Sequence, residues 1–99
     1  MSATLDITAE HAAIIGAILR QHLPLKTRVY VFGSRATGGA RRYSDLDLAL
    51  ECDGPLDLAA LAEALSESDL PYKVDLLDLT TADPGFRARV MEAAIPLDY

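Results

Sequence analysis

The chain has 99 residues, 51% of them hydrophobic and 24% charged, the make-up of one ordinary globular domain with no disordered or repetitive stretch. A net charge of −6 argues against a protein that grips nucleic acid by its phosphates. The N-terminus lacks the basic start and apolar core of a signal peptide, the apolar run at 12–19 is too short to cross a bilayer, and Cys52 as the only cysteine excludes an internal disulfide; the expectation is a cytoplasmic protein with no membrane contact.

Residues 8–23 read as a helix, with Thr8 as N-cap, Ile14, Ile15, Ile18 and Leu19 at helical spacing, and Pro24 at its end. Arg28-Val-Tyr-Val-Phe32 is β-branched and aromatic and predicts a strand. Gly33-Ser34 breaks it, and a helical turn over 34–38 follows, closed by Gly38-Gly39. From 45 to 51 leucines alternate with Asp45, Asp47, Ala49 and Glu51, the pattern of a half-buried strand. Gly54-Pro55 is a turn, residues 56–65 form an amphipathic helix, and 72–79 a third strand. Thr81 or Asp83 can cap a last helix, with Pro84 at its first position, running to about residue 94 and followed by a short tail. This order predicts an α/β (α+β) fold, a small mixed three-stranded sheet flanked by helices, in one domain over 1–99. The short link between the first two strands favours an antiparallel pair, and the next connection is long enough for either direction.

The chemistry-bearing residues are unevenly laid out. Arg20, Lys26, Arg28, Arg35, Arg41 and Arg42 occupy 11–44 with no acid among them, and from 45 to 85 Lys73 stands alone against many carboxylates. A metal–triphosphate site needs such a meeting of signs, and solvated surface charge also produces it. Asp45 and Asp47, two apart on a strand, share one face about 7 Å apart. They repel unless a cation lies between them, and Mg²⁺ takes such oxygen ligands together with substrate phosphates. A strand with one wet face reads the same way. Gly33-Ser34 lets a phosphate approach exposed backbone N–H groups at a strand end, although Gly-Ser alone is only a turn. Asp75 lies inside Val74-Asp75-Leu76-Leu77, where an acid needs water, a partner or a metal, or else an edge strand; Asp78 faces the other side. Gly-Ser, ten intervening residues and Asp-x-Asp arise together by chance in about one chain of this length in a thousand, so the combination outweighs its parts. Arg35 divides between phosphate contact and surface ion pairing. Arg41 and Arg42 read as a solvated loop within reach of phosphate. Tyr43 reads as a stacking or packing residue, and Tyr99 as one that packs or frays. His11 and His22 lack the companions of a zinc site or a nucleophile.

Val31-Phe-Gly-Ser-Arg-Ala36 and Ser44-Asp-Leu-Asp-Leu48 resemble the minimal nucleotidyltransferases of the DNA polymerase β superfamily, and are similar to the antitoxins paired with HEPN-domain toxins. The likeness runs from the first helix to the closing Leu97-Asp98-Tyr99; Thr37 departs from it, where many relatives carry a basic or other long residue. The resemblance implies that Asp45, Asp47 and Asp75 hold two Mg²⁺ ions and act as the catalytic acids. It also implies that Gly33, Ser34 and Arg35 bind the nucleotide. Two metals about 4 Å apart suit in-line phosphoryl chemistry, in which positioning and charge neutralisation do most of the work. The implied reaction moves AMP from ATP onto a tyrosine of a separate HEPN ribonuclease chain, making this an antitoxin. The alternatives are a non-catalytic antitoxin that masks its toxin, and, less well matched, an aminoglycoside-type transferase, which usually carries an added helical domain.

Overall fold

A computed structural model describes residues 7–41 and 43–99. Helix α1 spans Ala9–His22, and the Thr8 side chain caps it by accepting the His11 amide at 3.1 Å. Strand β1 (Arg28–Phe32), the single-turn helix α2 (Ser34–Thr37) and strand β2 (Leu46–Glu51) follow. Helix α3 (Leu58–Ser66) starts two residues later than its apolar pattern suggests, because Asp57 turns its carboxylate onto the Ala60 amide and takes the cap position. Strand β3 (Val74–Asp78) and helix α4 (Pro84–Met91) complete the expected series. Of the two possible caps for α4, Asp83 is the one used, accepting from the Gly85 and Phe86 amides.

Among the described residues the sheet has four strands, not three, in the order β3-β2-β1-β4. The extra strand, β4 (Ile95–Pro96), lies in what reads as a tail; it runs antiparallel to β1 and pairs Ile95 with Val31. Two residues carry no periodicity, so only the partner strand reveals it. The tail is anchored again where the Tyr99 hydroxyl donates to the Thr27 carbonyl at 2.6 Å. Strands β1 and β2 are antiparallel as expected, and β2 and β3 are parallel.

One face of the sheet is sealed. Val29, Val31, Leu46, Leu48 and Leu50 pack with Ile15 and Leu19 of α1 and Leu61 and Leu65 of α3. Removing this apolar area from water is the main stabilisation of the fold. The opposite face is only half covered. Val90 and Met91 of α4 lie over Ala49, Leu77, Leu79, Tyr30 and Phe32. Glu51 at the covered end takes ion pairs from both Arg28 and Arg87, the second tying α4 to the sheet. Among the described residues no helix is long and apolar enough to cross a membrane.

Candidate active site

The uncovered end of that face carries the acids. Register places Phe32 beside Asp47 and Asp47 beside Asp75, so one row crosses β1, β2 and β3. Asp45 stands just before β2, exposed, on the same side by the two-residue repeat. The parallel pairing of β2 with β3 thus puts all three carboxylates singled out in the sequence on one side of the sheet. Asp78 is turned away and its carboxylate caps the Thr80 amide at 2.9 Å.

Gly33 follows Phe32 and forms the rim of the row. Its backbone, at φ 73° and ψ −153°, lies in a region essentially reserved for glycine. A Cβ there would collide with Oδ2 of Asp47, so the glycine makes room for that carboxylate as well as for the turn. The turn then starts α2, where the Gly33 carbonyl accepts from the Ala36 and Thr37 amides and Ser34 occupies the first position. Gly38, at φ 86°, closes the helix by donating to the Ser34 carbonyl. Gly33 and Ser34 therefore border the acids, as their spacing in the sequence suggests.

The electrostatics are those of negative charge with little compensation. Asp47 has its carboxyl pushed above the ordinary carboxylate range, first by burial and then by repulsion from Asp75 and Asp45. Lys73 alone answers this charge among the ion pairs of the described residues, its Nζ lying 3.3 Å from Oδ1 of Asp75. The sequence pattern gives Lys73 no role of its own, although it stands two residues before Asp75 on the same strand path, a spacing that puts it on the same side. Among the described residues no three His, Cys, Asp or Glu side chains already converge on one point. The chemistry of the carboxylates nevertheless suits a hard divalent cation: all are oxygen donors, two lie in register on adjacent strands, and Gly33 leaves the space beside Asp47 free of a Cβ.

Arg35 is 5% exposed, hence not a surface ion-pairing group. Its Nε and Nη2 donate to the Ser44 carbonyl at 3.2 and 2.8 Å, and its guanidinium lies 4.0 Å from the centre of the Tyr72 ring. Arg41 lines a cavity of about 450 Å³ with Thr8, His11, Arg35, Tyr43 and Tyr72. Tyr43 is 63% exposed. Arg42 lies outside the described residues.

Comparison with known proteins agrees with the fold. Residues 14–97 match the family model "Polymerase beta, Nucleotidyltransferase". The chain is 53% identical over 88 residues to the "Probable protein adenylyltransferase MntA" of Haemophilus influenzae, covering 86% of this chain and 76% of that one. It is 40% identical over 68 residues to the protein adenylyltransferase MntA of Shewanella oneidensis, covering 66% of this chain and 48% of that one. A crystal structure of a toxin–antitoxin with AMP-PNP superposes with a TM-score of 0.75 at 32% identity, over 88% of this chain and 72% of that chain.

Proposed function

The chain belongs to the polymerase β nucleotidyltransferase family, and on that premise we propose that it is an antitoxin that transfers AMP from ATP to a tyrosine hydroxyl of a separate HEPN-domain toxin. The observation that carries the reading is the row Asp47–Asp75 on paired strands with Gly33-Ser34 at its edge. The names of the MntA relatives support the adenylyl group and the protein acceptor. The superposed toxin–antitoxin structure with an ATP analogue supports the partner and the nucleotide.

In the proposed reaction the acceptor oxygen forms a bond to the α-phosphorus of ATP while the bond from that phosphorus to the β-phosphate oxygen breaks, releasing pyrophosphate. Asp45, Asp47 and Asp75 would hold the divalent metal, two Mg²⁺ ions by the family resemblance, which would supply charge neutralisation of the triphosphate and activation of the attacking oxygen. Gly33 and Ser34 present backbone N–H groups and a hydroxyl to the triphosphate. Asp75, at the end of the row away from Gly33, takes the acceptor's proton on a carboxylate oxygen. The row opens on the half of the sheet that α4 leaves bare, which gives a protein-borne hydroxyl access.

The test incubates the protein with Mg²⁺ and each labelled NTP, with and without the toxin, and reads the intact mass of both chains. One or more AMP units on the toxin, absent with Asp45→Ala, is the expected result. A stable complex with no mass change, and with growth still rescued by Asp45→Ala, would replace this reading with neutralisation by masking.

A further inference from the structure

Arg35 ties together the approaches to the two acid-bearing strands. Ser44, whose carbonyl accepts both Nε and Nη2 of Arg35, is the residue immediately before Asp45. The same serine is held twice more: its amide donates to the Arg41 carbonyl at 3.1 Å, and its Oγ accepts from the Arg41 amide at 2.8 Å. Tyr72, under the Arg35 guanidinium, stands three residues before Asp75. The residue after Tyr72, Lys73, accepts the Leu46 amide on its carbonyl at 2.9 Å, the first rung between the two strands. Behind the stack, His11 of α1 meets the Tyr72 ring edge-on, with centroids 5.4 Å apart and planes at 86°.

A device of this kind has a reason to exist. Strands β2 and β3 are parallel and are joined through α3, so no tight hairpin sets their register. A slip of one residue would turn every side chain of a strand to the other face. A buried guanidinium with two donors on one carbonyl and one face on an aromatic ring is a rigid, directional link. Lysine cannot reproduce it, having a single ammonium and no planar fork.

We propose that Arg35 is a positioning residue: through Ser44 and Tyr72 it holds Asp45 and Asp47 in register with Asp75, and it does not act as a ligand of the triphosphate. Its consequence for metal rests on the proposed role of the three acids; its consequence for the strand entry does not.

The experiment reads both on the full chain. Amide hydrogen exchange at Leu46 reports the strand entry, and Mn²⁺ binding without nucleotide reports the acids. Arg35→Lys, Arg35→Met and Tyr72→Leu each speed exchange at Leu46 about tenfold while the Leu48 and Leu50 amides keep their protection, which shows that the variants are folded. Each also weakens Mn²⁺ binding about tenfold, the range for residues that orient metal ligands. The Arg35→Met, Tyr72→Leu pair loses no more than either alone, and Tyr72→Phe, which keeps the ring, binds Mn²⁺ as the parent does. Unchanged exchange at Leu46 overturns the proposal. So does an Arg35→Lys variant that retains Mn²⁺ affinity but binds ATP more weakly, because that is the behaviour of a phosphate ligand. If Leu46 loosens yet neither these variants nor Asp45→Ala changes Mn²⁺ binding, the register role stands and the assignment of the acids to metal falls.

Discussion

Glu51 and Asp47 lie on the same face of the same strand, four residues apart, and live in opposite electrostatic circumstances. Glu51 is flanked by Arg28 and Arg87, and its charge is spent on fastening α4. Asp47 has Asp75 beside it and Asp45 nearby, with burial added, and its carboxyl is pushed upward as a result. An acid's role is thus set by whether the fold supplies its counter-charge. At the covered end arginines are built in. At the open end the ion pairs of the described residues supply only Lys73 on Asp75. Such uncompensated carboxylates are the pattern that the proposed metal-binding role requires.

The contrast is most exposed to challenge at the open end. Asp47→Asn is expected to lower AMP transfer by about 10³-fold, the scale of losing a central electrostatic element of a site, while raising the melting temperature of the metal-free protein by a few degrees. The sign follows from linkage. The folded-state pKa of Asp47 is raised, so between its unfolded and folded values the native state binds more protons than the unfolded state, and stability falls as pH rises through that window. Above the window the ionised carboxylate is a standing penalty, which the amide removes. Melting curves of the two proteins from pH 3 to 7 check this: the stability difference should open as the pH rises and narrow on acidification. A parent that is more stable than the variant at pH 7 without metal would contradict it.

On the sealed face the same strand behaves as ordinary core. Leu48 is 0% exposed and packed between both helices, so Leu48→Ala should cost about 2–5 kcal/mol in urea unfolding. Between these extremes stands Gly33→Ala. Its Cβ meets Oδ2 of Asp47 and its backbone must leave a glycine-only region. The expected stability loss is about 1–3 kcal/mol, with a fall in transfer of about 10²-fold as Asp47 is displaced; unfolding and single-turnover assays separate the two. The smallest effect belongs to the covered end. Glu51→Gln should change stability by about 1 kcal/mol or less, since both its ion pairs are partly exposed, and leave transfer unchanged. A large loss of transfer there would mean that α4 placement matters more to the acids than the geometry suggests.

Much of the site is legible in the local chemistry of the chain. The alternation in 45–51 separates the leucines for the core from Asp45 and Asp47, because side chains on a strand alternate whatever the strand pairs with. Thr8, Asp83 and Gly38 mark helix ends by chemistry confined to a few residues. Gly33-Ser34 marks the turn for the same reason. Arg35 is legible only as a charge next to that turn. Its burial depends on Ser44 and Tyr72, 9 and 37 positions further along, and nothing local announces that they will meet it.

Short-range periodicity and turn chemistry, both written in the sequence, dictate the elements, their inward and outward faces, and the presence of three acids and a phosphate-compatible turn. Long-range packing alone makes β2 and β3 run parallel with Asp47 opposite Asp75, gives β1 the strand β4 at its far edge, neutralises Glu51 while leaving Asp47 exposed to its neighbours' charge, and turns Arg35 inward. Pairing direction, register and counter-charge are properties of residues distant in the chain, fixed only when burial of one continuous core selects a single way of bringing them together.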